Sequence, residues 1–153
     1  MNVKSKKFKM FFMVLLACLV IPSAASANDV VFGVEDPQYA GDGSWTQVGT
    51  PSYVTLYTDG TDAFSKTYFS TGGDFRVCMS GVDRSTNTYR IVLYEDDSTQ
   101  ANAVASGFVT GNSCGIFRNL NAQVDGTNGK AEFYVKFDAA DYYDSSVTVR
   151  AYD

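Results

Sequence analysis

Short runs of β-branched and aromatic residues, cut by glycine-bearing turns, govern what this chain can fold into. Tyr53 to Thr58 alternates in polarity and meets Asp59-Gly60-Thr61. Phe64 to Thr71 then runs to Gly72-Gly73, and Phe75 to Met79 follows. Thr88 to Tyr94 alternates up to the acidic run Glu95-Asp96-Asp97, with weaker runs at Ala103 to Thr110 and Cys114 to Leu120. Asp125-Gly126-Thr127-Asn128-Gly129 leads into Ala131 to Phe137, and Val147 to Tyr152 closes the series. Asp-Gly, Gly-Gly and Asn-Gly pairs supply the positive φ angles that tight hairpins need. Beyond Asn28 no stretch keeps apolar residues at i, i+3, i+4 and i+7 long enough to build a helix. The expectation is an all-β fold: a single-domain antiparallel β-sandwich, Ig-like or jelly-roll-like, of about eight strands with one disulfide. Val30 to Val34 reads as a further edge strand, and Gly41-Asp42-Gly43 as a loop.

The N-terminus follows a different logic. Lys4, Lys6, Lys7 and Lys9 precede an apolar stretch from Met10 to Ile21. Pro22-Ser23 then leads to Ala25-Ser26-Ala27. A basic segment, a short apolar core and a small-x-small site describe a secretory signal peptide spanning residues 1–27, cleaved before Asn28. The apolar run is shorter than the roughly 20 residues that cross a bilayer. Leu15-Leu16-Ala17-Cys18 resembles a bacterial lipobox, which implies lipoprotein anchoring at Cys18 as the alternative to free secretion. The domain proper is then 28–153, a freely secreted and extracellular protein with no membrane attachment after cleavage.

Removing the signal changes the balance of charge. Four of the 12 basic residues leave with it, so eight face all 17 acidic ones and the net charge becomes −9. Such a chain repels phosphate backbones and anionic headgroups, which argues against nucleic acid and lipid as partners. Cys18 also leaves, and Cys78 with Cys114 remains as an even pair in an oxidising compartment. The spacing is far from the C-x-x-C of redox-active pairs, so a structural disulfide is expected.

There is no histidine anywhere in the 153 residues. Ser-His-Asp and Cys-His nucleophile systems and most zinc sites are therefore excluded, since each needs an imidazole. A carboxylate-based hydrolase is the one enzymatic route left, and the mature chain offers only Glu35, Glu95 and Glu132 beside its aspartates. No Ser-x-x-Lys or Gly-x-Ser-x-Gly arrangement is present. No cofactor is expected. Calcium is the one ion for which acidic clusters exist, at Asp59 with Asp62, at Glu95-Asp96-Asp97, and at Asp138 with Asp141 and Asp144. Each lies at a turn, where aspartate also serves its own backbone.

Alternation assigns faces. Val54, Leu56, Phe75, Val77, Met79, Tyr89, Ile91, Leu93, Phe133, Val135, Phe137, Val147 and Val149 fall inward. Tyr57, Tyr94, Tyr134 and Tyr152 fall outward, interleaved with Arg76, Arg90, Glu132, Lys136 and Arg150. Tyrosine rings beside polar donors are what sugars stack on, so these four form a candidate ligand face; cross-strand pairing alone also favours tyrosine there. Asp138-Ala139-Ala140-Asp141-Tyr142-Tyr143 resembles the tyrosine corner of immunoglobulin variable domains. That implies a tyrosine bracing the corner before the last strand, although the cysteine that follows in that family is Asp144 here.

The sequence thus predicts a small secreted, non-catalytic protein with an extracellular interaction or matrix role, its partner an unknown protein or polysaccharide. A glycan- or cell-wall-binding module using the outer tyrosines is the second reading. The third is a secreted inhibitor or antibacterial toxin acting through loops such as Gly81 to Asn87 or Asp96 to Ala101.

Overall fold

The computed structural model of the chain describes residues 29–35, 45–57, 61–97, 100–125, 127–139 and 145–153. The signal segment with Cys18, the loop at 41–43 and the Tyr142-Tyr143 corner lie outside them. Ten strands follow in order: β1 (Val31–Glu35), β2 (Gln47–Leu56), β3 (Ala63–Phe64), β4 (Tyr68–Ser70), β5 (Phe75–Ser80), β6 (Thr88–Asp97), β7 (Gln100–Thr110), β8 (Cys114–Arg118), β9 (Ala131–Ala139) and β10 (Ser145–Tyr152). They form two sheets, β1-β8-β5-β10-β2 and β3-β9-β6-β7, with β4 also on β9. Every pairing is antiparallel. The fold is all-β and compatible with a β-sandwich, as the alternation predicts.

Two features raise the strand number above eight. The edge strand β1 is present, and the run from Phe64 to Thr71 breaks into β3 and β4. At the break Ser65 N–H donates to Val135 O at 2.9 Å, while Ser65 Oγ accepts from Val135 N–H at 2.9 Å. A hydroxyl thus stands in the β9 ladder. Lys66 N–H then donates to Ser52 Oγ on β2 at 3.2 Å, tying the chain to the other sheet.

All the positions assigned inward by alternation are buried, and they fill the space between the sheets. Fully burying a large apolar side chain stabilises by about 1.5–3 kcal/mol, so this layer supplies the main driving force. Aromatic rings join the two sheets: Phe75 and Phe133 lie 5.2 Å apart, and Tyr68 lies 6.5 Å from Phe75. Tyr68 is buried and donates its hydroxyl to Val149 O at 3.2 Å, which satisfies the one polar atom it brings inside.

Cys78 and Cys114 are disulfide-bonded. They are direct cross-strand partners on β5 and β8 of one sheet, so the bond ties neighbouring strands rather than the two layers. Met79 N–H donates to Ser113 O in the adjacent pair. Cys78 and Cys114 therefore form a pair without ladder hydrogen bonds, where opposite side chains come closest.

Candidate functional site

The four outward tyrosines divide between the two sheets. Tyr57 follows β2 and Tyr152 ends β10, at opposite ends of the first sheet, where β10 runs from Ser145 beside Leu56 to Tyr152 beside Gln47. Tyr94 and Tyr134 are direct partners on β6 and β9 of the second sheet. Only this second pair is brought together, with ring centroids 5.3 Å apart and planes within 5°. Phe64 on β3 meets Tyr134 edge-on at 5.8 Å. One face of Tyr134 is thus taken by Tyr94, and Phe64 packs against the same ring. Burial first, and then the charges of Asp96 and Tyr94, push the Tyr134 hydroxyl above its ordinary value of 10.0.

This row continues into an aromatic outer face on the second sheet. Phe64, Phe69 and Phe108 are exposed there. Phe69 stands opposite Glu132 and Phe108 opposite Arg90. Charges on this face pair with one another: Arg90 with Asp138 at 3.2 Å, and Lys136 with Asp62 at 2.6 Å and Asp138 at 3.4 Å. The Asp62 hydrogen bond, opposed by desolvation and aided by Asp138, holds the Lys136 ammonium above the usual lysine value. The three phenylalanines sit at outward positions of strands that alternation could have scored. Tyr53, 84% exposed on β2, is a further aromatic that the sequence reading passed over.

Arg76 departs from expectation. It is on the outward side of β5 yet fully buried. Its guanidinium lies 4.6 Å from the Trp45 ring centroid and 4.7 Å from that of Tyr152. Trp45 lies just before β2, where Thr46 and Asp153 extend the β2–β10 ladder, and its ring stacks on the guanidinium. Tyr152 is likewise packed against the guanidinium.

A groove forms where β2 leaves its partner. Val48 pairs with Ala151 and Ser52 with Val149, so Gly49, Thr50 and Pro51 stand against Arg150 alone. This excursion, aided by Gly49 at φ 69°, meets the segment between β3 and β4. The resulting space is about 450 Å³, lined by Val48, Gly49, Thr50, Lys66, Thr67, Tyr68, Phe69 and Lys130. A Cβ on Gly49 would lie 3.3 Å from the Tyr68 ring, so glycine permits the close approach. The Lys66 ammonium donates to Thr50 Oγ1 and, at 3.2 Å, to Pro51 O. Nothing in the spacing of residues announced this groove, because it joins segments some 14 to 80 positions apart.

The acidic clusters are only partly described. Asp62 and Asp138 are held by cations as above, Glu95 is buried and Asp96 exposed. Asp59, Asp141, Asp144 and the side chain of Asp97 lie outside the described residues. Among the described residues no three metal-ligating side chains converge.

The fold defines a disulfide-bridged, all-β protein of two antiparallel sheets. By sequence the chain belongs to the family described as the YndA coiled coil domain, whose model matches residues 47–151. It is 37% identical over 145 residues to the uncharacterized protein YndA of Bacillus subtilis (strain 168), covering 94% of each chain. Within the matched span the described residues are strands with one 3-10 turn at Leu120–Gln123, so the coiled coil of the family's description has no counterpart in them.

Proposed function

We propose that this is a secreted, non-catalytic interaction protein that assembles outside the cell with a second copy of itself through the edge strand β7, whose only ladder partner among the described residues is β6. The edge itself carries the reading. Sheet edges invite strand addition, and proteins usually blunt them with charge, proline, bulges or brevity. Here β1 has five residues, β3 and β4 have two and three, and β2 carries the Gly49–Pro51 excursion. β7 is 11 residues long and has neither charge nor proline from Gln100 to Thr110. Its bulge at Val104 still leaves Ala105 to Thr110 regular.

A second copy fits this edge because two β7 strands can pair antiparallel about a two-fold axis, which closes the assembly. In a mature chain of net charge −9 an uncharged edge is also where two copies approach with least repulsion. The secreted and non-catalytic parts rest on the signal-like N-terminus and on the missing histidine.

Sedimentation velocity on the mature protein from micromolar to near-millimolar loading tests assembly. A concentration-dependent dimer is expected. Ser106→Lys with Phe108→Lys, both exposed on β7, should return it to monomer; a wild type monomeric throughout removes the reading. The intact mass of protein from culture medium tests secretion, expected to start at Asn28 and to fall about two daltons below the reduced chain. A diacylglyceryl mass on Cys18 would show lipid anchoring instead.

The second reading, a glycan- or cell-wall-binding module, draws its support from the groove beside β2.

A further inference from the structure

We infer that the groove between β2 and the β3–β4 segment binds an anionic saccharide, a sugar bearing a carboxylate or a phosphate. This goes beyond self-assembly through β7 and involves none of the residues of that edge.

Charge placement is the first ground. The mature chain has eight basic residues, and two of them, Lys66 and Lys130, line this one groove. Arg90, Arg118 and Lys136 each reach a carboxylate, whereas neither groove lysine forms an ion pair among the described residues. No aspartate or glutamate is among the lining residues. Bringing like charges to one depression, in a chain with 17 acids, leaves a local positive field inside a negative surface. An anion there gains attraction from both ammonium groups.

Positioning is the second. Lys66 is not a loose surface side chain: Thr50 Oγ1 and Pro51 O accept two of its three ammonium protons. One donor remains for a ligand. The ammonium also lies 5.7 Å from the Tyr68 ring centroid, which forms part of the groove.

The third ground is the size and lining. A volume of about 450 Å³ lies within the range of sites for small ligands. Phe69, 51% exposed, and Val48 both line the groove, giving a ring and an aliphatic group for the C–H face of a sugar. Thr50 and Thr67 offer hydroxyls at the same site. A bare inorganic anion would use the lysines and leave this wall idle; a neutral sugar would leave the charges idle. An anionic sugar uses both.

Titration of the mature protein with digalacturonate, glucose 1-phosphate and neutral cellobiose, followed by amide chemical shifts, tests the inference. At least one anionic probe should shift Gly49, Thr50, Lys66, Thr67, Phe69 and Lys130 saturably, and which of the two binds more tightly assigns carboxylate or phosphate. Cellobiose and inorganic phosphate should bind at least about tenfold more weakly. Lys66→Met with Lys130→Met should weaken the anionic probe by about tenfold, as should raising salt from 0.05 to about 0.5 M. Phe69→Ala, at an exposed position, should weaken the sugar acid but not phosphate. No saturable shift with either anionic sugar, or equal binding of cellobiose, would overturn the inference. The Ser106→Lys, Phe108→Lys monomer should bind the sugar acid unchanged, so that failure of assembly and failure of this site are read separately.

Discussion

The ring of Phe32 on β1 occupies the space where any side chain at Gly107 on β7 would have to stand. A Cβ on Gly107 would fall 2.0 Å from Phe32 Cδ1 and 2.4 Å from Cγ. These are atoms near the root of the ring, which cannot swing aside. The same ring lies 5.3 Å from Phe117, so it is wedged at the lateral seam where β1 of one sheet meets β7 of the other. Gly107→Ala is therefore expected to destabilise by about 1–3 kcal/mol through overpacking. Gly33→Ala, on the same strand β1 with nothing within 4 Å of the added Cβ, should stay within about 0.5 kcal/mol of the parent. Urea unfolding midpoints compare the two; equal midpoints would refute the wedge.

The disulfide makes a different demand. It closes a separation of 36 residues, and the chain-entropy account assigns such a loop about 4 kcal/mol. Because Cys78 and Cys114 sit opposite each other within one sheet, the core between the sheets does not depend on the bond for its geometry. The Cys78→Ala, Cys114→Ala variant should thus keep its β-sheet circular dichroism while its urea midpoint falls steeply. A midpoint unchanged within error would mean the bond contributes strain equal to its constraint.

Arg76 and Trp45 mark where legibility in the sequence ends. Polarity alternation depends on the two-residue strand period, which is fixed by backbone geometry, so Phe75, Val77 and Met79 could be assigned inward from letters alone. Arg76, between them, falls outward by the same period, but its burial is not written in the alternation. What covers an outer face is decided by a residue from elsewhere, here Trp45, 31 positions earlier. The same limit hid the groove at Gly49, whose far wall is Phe69 and Lys130. It also hid the break at Ser65, where one hydroxyl replaces a ladder partner. Tyr94 and Tyr134 were legible as outward residues, whereas their mutual stacking depended on strand register.

That buried guanidinium yields its own prediction. Stacking between two aromatic rings suits the planar, weakly hydrated group of arginine and not a lysine ammonium. Arg76→Lys should cost about 1–2 kcal/mol. Trp45 is the sole tryptophan, so its fluorescence reports the site directly. The emission should shift to longer wavelength in the folded variant as the indole loses its cover. Unchanged emission and stability would show that the stack is not what holds Trp45 down.

The alkaline limb of stability follows from groups whose protonated form the fold prefers. Burial pushes the Tyr68 hydroxyl above its ordinary 10.0, and Tyr134 is raised as well. Lys136 is held above its ordinary 10.5 by Asp62. For each, the unfolded chain loses its proton first as pH rises, so the unfolded state then binds fewer protons than the native one. Linkage makes stability fully present below about pH 10 and lost as pH climbs through the raised folded values. The urea midpoint should accordingly hold steady between about pH 7 and 9 and fall above about pH 10. Tyr68→Phe should lower the midpoint at pH 7, since the bond to Val149 O is worth about 1 kcal/mol, and should make the alkaline fall shallower. A fall equally steep in Tyr68→Phe would mean that the buried phenol has no part in it.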